Sequence, residues 1–302
     1  MSTTKFDIPD GVIAAVATPL TENFKPDIQA LATHTKNLLE DGCSYASLFG
    51  TTGEAPSLGV KARMHAMDEI CKQGISPQKL VPGTGAASLE AAIALTRHAC
   101  ELGVSGVLVF PPFYFPDPPL EGLMVYYRAL GEIAAKHNVP LIFYNYPRMT
   151  KVPVAPELIK ALRQEMGSVF AAVKDSSGDW AQTKAYLDIG DGFAVLPGHE
   201  TVLPKAIPLG AIGTISGCAN VATRYIRAAY DELLETGQDG PEQQRAWAMN
   251  AVITKHNLLP SQKYMLYKQT NDPAWNRLAP PLRPLNEQQG DAFMKAFALV
   301  ST

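Results

Sequence analysis

Cysteine is scarce in this chain. Its four residues, Cys43, Cys71, Cys100 and Cys218, lie far apart and form no C-x-x-C pair, which argues against a disulfide-stapled scaffold or a cysteine zinc site and for reduced thiols. Blocks of lysine or arginine are missing as well. The formal net charge of -3 leaves no basic field to draw in a phosphate backbone or an anionic lipid surface, so neither a nucleic-acid nor a membrane partner is expected. No apolar run has the length of a membrane span, and the opening MSTTKFDIPDG lacks the apolar stretch of a signal peptide, which places the expected location in the cytoplasm. The histidines (His34, His65, His98, His137, His199, His256) have no ligand-like spacing, and no metal is expected. No G-x-G-x-x-G follows the first strand-like run, which leaves a doubly wound nucleotide-binding sheet without its main support.

What is present is apolar material in short pieces. Of 302 residues, 46% are hydrophobic and 18% charged, enough for one large core or two modest ones. Eight runs read as strands: GVIAAVATP (11–19), YASLFG (45–50), KLVPGTG (79–85), SGVLVFPP (105–112), VPLIFYNYP (139–147), SVFAAVKD (168–175), FAVLPG (193–198) and GAIGTISG (210–217). They are continuous rather than alternating, as parallel strands covered on both faces require, and each ends in Gly, Pro, Thr or Asp. Amphipathic stretches separate them, including 27–42, 88–103 and 121–138, with apolar residues at three- and four-residue intervals and Gly or Asn at the end. This alternation predicts an α/β fold, a (β/α)8 TIM barrel over residues 1–236. From 237 to 302 the runs stop. GPEQQRAWAMNAVITKHNLL, SQKYMLYKQT and NEQQGDAFMKAFALV read as helices, a C-terminal extension expected to pack on the barrel or on a neighbouring subunit.

The chemistry gathers at strand ends. Lys174 closes the sixth run, where barrel side chains face the reaction mouth. A lysine that has left its strand is simply solvated. One that stays partly desolvated has a lowered pKa, and its neutral amine can attack a ketone to give an imine, an electron sink for making or breaking an adjacent carbon–carbon bond. Such chemistry needs a proton shuttle and an anion holder. FGTTGEAPSL (49–58) offers the backbone N–H groups of Gly50 and its neighbours and the hydroxyls of Thr51 and Thr52, while FYNYP (143–147) offers the phenol of Tyr144. Taken singly, a Thr-Thr-Gly turn is ordinary and a tyrosine near a strand end is as readily core. Together, at the ends of the second, fifth and sixth runs, they point to one site.

GTTGE (50–54), PPFYF (111–115), YNYP (144–147), VKDSSGD (173–179) and GTISGCANV (213–221), in that order and over nearly the whole chain, resemble the dihydrodipicolinate synthase / N-acetylneuraminate lyase family of class I, pyruvate-handling aldolases. The resemblance implies that Lys174 is the Schiff-base lysine and that Tyr144 passes protons to and from the substrate. It implies that the Thr51 hydroxyl joins the relay and that Thr52, with its backbone amide, binds the 2-oxo acid carboxylate. Tyr114 matches a tyrosine that reaches into a neighbouring subunit's site, and Gly198 and Ile215 match positions lining the pocket beside the imine. It further implies a homotetramer built as a dimer of dimers, a small 2-oxo acid as partner, and no cofactor beyond the covalent imine at Lys174.

Departures from the pattern bear on the substrate. Synthase members carry an arginine two residues beyond the proline of YN-x-P to grip the carboxylate of aspartate semialdehyde. Here Met149 holds that position, and a thioether cannot make the forked contact. Arg148, one residue earlier, is the alternative anchor; in an extended loop a one-residue shift usually points the side chain elsewhere, which would leave it a solvated rim arginine. After the seventh run, PGHETV (197–202) supplies His199, Glu200 and Thr201; sugar-acid branches place an acidic residue in this loop against substrate hydroxyls, a role that fits Glu200. The alternative is a carboxylate held at a helix N-terminus by the macrodipole. Ser176 and Ser177 suit polyol hydroxyls or a helix cap. GTISG resembles a phosphate cradle of other barrels but in this family lines the oxo-acid pocket. The expected reaction is reversible aldol cleavage of a 2-keto-3-deoxy sugar acid to pyruvate and an aldehyde. Dehydration through the same imine, condensation of pyruvate with aspartate semialdehyde to 4-hydroxy-tetrahydrodipicolinate, and a non-catalytic 2-oxo acid sensor are the alternatives.

Overall fold

Short polar side chains placed just ahead of apolar periodic stretches start many of the helices. In the computed structural model, which describes residues 6–301, Asp27 accepts a hydrogen bond from the amide of Ala30 at 3.1 Å, Ser88 from Ala91 at 3.2 Å and Asp179 from Ala181 at 2.9 Å, satisfying amides that no helical carbonyl reaches. Asn286 and Gln289 form a reciprocal capping box. In chain order the elements are β1 (Gly11–Ala15), α1 (Ile28–Glu40), β2 (Tyr45–Ser47), α2 (Val60–Lys72), α3 (Leu89–Leu102), β3 (Val107–Val109), α4 (Leu120–Lys136), β4 (Leu141–Asn145), α5 (Pro147–Thr150), α6 (Pro156–Met166), β5 (Phe170–Asp175), α7 (Trp180–Leu187), β6 (Ala194–Pro197), α8 (Leu203–Ala206), β7 (Gly213–Ser216), α9 (Ala219–Thr236), α10 (Pro241–Lys255), α11 (Leu258–Thr270) and α12 (Glu287–Ala298). Among the described residues no helix is long and apolar enough to cross a membrane.

The chain divides into two compact units. The first comprises the residues up to Asp10 together with Ser76–Ile215. Its sheet runs β3-β4-β5-β6, all parallel, with Leu108 opposite Ile142, Tyr144 opposite Lys174 and Lys174 opposite Leu196. Every residue of these strands is buried, which is why the runs read as unbroken apolar segments. α4, α6 and α7 connect successive strands, the long crossovers that parallel pairing requires. Tyr127 of α4 lies against Phe143, which stacks on Phe170 at 5.3 Å between ring centres. Gly131 makes room for that stack, since a Cβ there would stand 2.6 Å from the Phe170 ring.

The third predicted run, 79–85, is not a strand. It contributes a single parallel bridge, Gly83 with Leu108, through Leu108 N–H to the Pro82 carbonyl and Thr84 N–H to the Leu108 carbonyl, each 2.9 Å. Pro82 has no N–H to donate. Lys174 accordingly sits on the fifth strand, β5, rather than on a sixth.

The second unit comprises Gly11–Ile75 and the described residues from Ser216 on. In it β1 pairs in parallel with β2, Ile13 opposite Tyr45 and Ala15 opposite Ser47. The helices after residue 237 belong to this unit: Leu266 of α11 and Trp275 cluster with Ala17, and Leu20 N–H bonds the Ala274 carbonyl at 3.0 Å. The stretch 240–259 that reads as one helix is two, because Asn257 adopts a left-handed conformation (φ 71°) between α10 and α11, which asparagine accommodates better than most residues.

Candidate active site

Tyr144 and Lys174 face each other in register on adjacent parallel strands, so their side chains leave the sheet on the same side. The Lys174 side chain is not solvated. The residue is 4% exposed, and its Nζ stands 4.4 Å from the centre of the Tyr144 ring. Burial pushes its pKa down to about 7, against the pull of the Glu200 carboxylate, which favours the cation. The Tyr144 ring face also favours a cation, but loss of water outweighs both. Glu200 is itself 2% exposed. It therefore belongs to the buried surroundings of the amine and is not a rim carboxylate at a solvated helix end. His199 next to it has a pKa lowered by burial and then by the charge of Lys174, with Asp175 acting in the opposite sense.

The strand ends are locked by the next residue pair. Asp175, opposite Asn145 and 3% exposed, accepts hydrogen bonds from Asn145 Nδ2 (2.9 Å), the backbone N–H and the hydroxyl of Ser177 (each 3.0 Å) and Thr183 Oγ1 (2.6 Å). Asn145 Oδ1 accepts from Val154 N–H at 3.0 Å, and its carbonyl accepts from Ser176 N–H at 2.8 Å. Four donors on one carboxylate make it costly to remove. Beside them Gly198 donates its N–H to the Asp175 carbonyl at 2.7 Å, and a Cβ at Gly198 would stand 2.1 Å from Ser176 Oγ. We expect Gly198→Ala to destabilise the protein by about 1–3 kcal/mol, read as a fall in Tm, because Ser176 must move.

The remaining expected site residues are placed as follows. Ile215 is fully buried in β7 and Ser176 is buried after β5. The Ser177 hydroxyl donates to Asp175 and accepts from Asp179 N–H, and Asp179, not a serine, caps α7. Met149 is 57% exposed and Arg148 is exposed. They lie on the helical turn α5, not in an extended loop, so the two side chains diverge by about 100°. Tyr114 is 76% and Phe115 75% exposed, ring edge against ring face.

In the second unit, Gly50, Thr51 and Thr52 form a tight turn after β2: Glu54 N–H bonds the Thr51 carbonyl at 3.1 Å and Ala55 N–H the Gly50 carbonyl at 3.2 Å. Thr52 is buried at 8% exposure, and the Thr18 hydroxyl donates to the Gly53 carbonyl at 2.9 Å. Gly53 admits no side chain, since a Cβ would stand 2.9 Å from both Phe49 N and the Val16 carbonyl.

Sequence reading missed Asn145 and Asp175, and also Glu54 and Lys263, which pair in the second unit. The available signal was a polar residue inside or at the end of an otherwise buried run, which always needs a partner. The partner's identity was not available.

The family model for the dihydrodipicolinate synthetase family matches residues 8–298. The chain is 32% identical over 290 residues, 96% of each sequence, to a DapA-like lyase of Chloroflexus aurantiacus. It is 35% identical over 214 residues, 71% of this chain and 72% of the relative, to a 4-hydroxy-tetrahydrodipicolinate synthase of Methanococcus maripaludis. Among solved structures, dihydrodipicolinate synthase of Agrobacterium tumefaciens is 30% identical with a TM-score of 0.87, over 97% of this chain and 99% of that one. A variant of the 2-keto-3-deoxygluconate aldolase of Sulfolobus solfataricus is 20% identical with a TM-score of 0.84, over 96% of both chains, a likeness of fold. The fold class is the (β/α)8 TIM barrel of these structures, with C-terminal helices.

Proposed function

Because this chain belongs to the dihydrodipicolinate synthetase family and is a lyase, we propose that it is a Schiff-base enzyme whose Lys174 condenses with a 2-oxo acid, and that its reaction is the reversible aldol cleavage of a 2-keto-3-deoxy sugar acid. The observation that carries this reading is the buried Lys174 amine, with a pKa near 7, against the Tyr144 ring. The neutral amine adds to the C2 carbonyl, and loss of water from the carbinolamine leaves a protonated imine. Removal of the C4 hydroxyl proton lets the C3–C4 bond break, its electron pair passing to the imine as an enamine while C4 leaves as an aldehyde. Protonation at C3 and hydrolysis then release pyruvate and the amine. Tyr144 carries the protons, Thr51 assists it, and Thr52 with the backbone amides of its turn holds the substrate carboxylate. Glu200 and Ser176 receive the substrate's outer hydroxyls. No cofactor takes part. Tyr114 acts within a homotetramer, which its exposure in the single chain supports.

The sugar-acid reading draws support from Met149, which leaves the usual carboxylate anchor without a cation. A second reading, condensation of pyruvate with aspartate semialdehyde, is favoured by the names of the relatives and by Arg148 on the same turn. A screen of the purified enzyme for pyruvate release from 2-keto-3-deoxy acids of several lengths, with the synthase reaction in parallel, decides between them. Trapping with borohydride and pyruvate should label the peptide that holds Lys174; absence of an adduct would refute the covalent mechanism.

The pH dependence follows from the lowered pKa. Below about 7 the amine is protonated and trapping should slow tenfold per pH unit, while above it the rate should level off. A rate still climbing through pH 9 would show an amine with an ordinary pKa.

A further inference from the structure

α11 brings a lysine into the interior of the second unit. Lys263 and Glu54 form an ion pair at 2.7 Å with both side chains at 0% exposure. The ammonium also donates to the Thr18 carbonyl at 2.8 Å, and the other oxygen of Glu54 accepts from Ala279 N–H at 2.7 Å. Burying such a pair gains little stability over an apolar pair of similar size, so its effect is better sought in geometry. Glu54 is the last residue of GTTGE and holds a left-handed backbone (φ 55°), as does Phe49 at the start of the turn (φ 56°). Non-glycine residues hold that conformation only where their surroundings enforce it. The same Thr18 whose carbonyl takes the ammonium donates its hydroxyl to Gly53. Lys263 thus ties the end of the turn, the segment after β1 and the loop before α12 to one point.

We propose that Lys263 is a positioning residue: its ion pair with Glu54 holds the Thr51–Thr52 turn in the conformation that binds the substrate carboxylate. This rests on the reading of Thr52 given under Proposed function. Lys263 touches no substrate and acts through the backbone of residues 50–54. It gives the C-terminal helices a part in substrate binding that does not depend on any contact with the reacting amine.

The test is the double variant Lys263→Met/Glu54→Gln beside the single Lys263→Met. The single variant strands a buried carboxylate and is expected to be the less stable of the two; the double keeps an acceptor for Ala279 N–H and should fold. In the double variant we expect faster hydrogen exchange at the amides of residues 50–55 and a KM for pyruvate in the trapping reaction raised about 10- to 100-fold, with the trapping rate at saturating pyruvate within about threefold of the parent. Unchanged exchange with unchanged KM would overturn the proposal and leave the pair a purely structural element, as would a loss of saturating rate with KM unmoved. Loosened exchange in a protein whose parent form gives no pyruvate adduct would uphold the positioning and refute the 2-oxo acid reading instead.

Discussion

On the Schiff-base reading proposed above, Lys174→Met should abolish turnover, by about 10⁴-fold or more, and should leave the protein folded and more heat-stable than its parent. The stability gain is the informative half. In the folded state the Lys174 pKa is depressed to about 7, whereas the unfolded chain holds that proton up to the ordinary lysine value. The unfolded state therefore binds more protons between these two limits, and stability rises with pH across that window. At neutral pH and below, the folded protein bears the penalty of keeping the amine out of water. A methionine of similar length removes it. The gain is partial, because Glu200 loses its nearby cation, and we expect on the order of 2 kcal/mol, or roughly 4 °C in Tm. Calorimetry at pH 7 and pH 10 checks this: the advantage of the variant should shrink at the higher pH. A variant less stable than its parent at pH 7, or an advantage that grows with pH, would mean that Lys174 is not held in a desolvated state.

Asp175→Ala is the change expected to cost most in stability. Its carboxylate receives Asn145, Thr183 and both the hydroxyl and the amide of Ser177, and truncation strands these donors in a buried setting. The loss should be about 3–5 kcal/mol, lowering Tm by roughly 6–10 °C. Activity should fall as well, because Asn145 and Asp175 immediately follow Tyr144 and Lys174 on their strands and hold the two strand ends at the spacing seen here. Asp175→Asn retains acceptor capacity on one oxygen and should lose less than half as much. Equal losses for the two substitutions, or a Tm within 2 °C of the parent for Asp175→Ala, would show that the network does not fasten the strand ends.

Much of this was legible along the chain because it depends on local rules. The capped helices at Asp27 and Ser88 begin one residue after the capping position, and buried parallel strands leave continuous apolar runs that survive any uncertainty about their neighbours. Where a rule met a competing one, the reading went astray. The run at 79–85 is apolar enough for a strand but carries Pro82 and Gly83, and reduces to one bridge. The helix at 240–259 has the right periodicity but is broken by a single left-handed asparagine.

The amino-acid sequence determined, without help, the alternation of strands and helices, the placing of a lysine at a strand end and the methionine at position 149, since each is a matter of which residue stands where. Only the folded chain decided that this lysine is shielded from water beside a phenol ring and a buried carboxylate, that Asp175 serves four donors, and that Glu54 pairs with a lysine 209 positions later. Reactivity and fastening depend on what surrounds a group once water has been removed, and that environment is assembled from segments far apart in the chain.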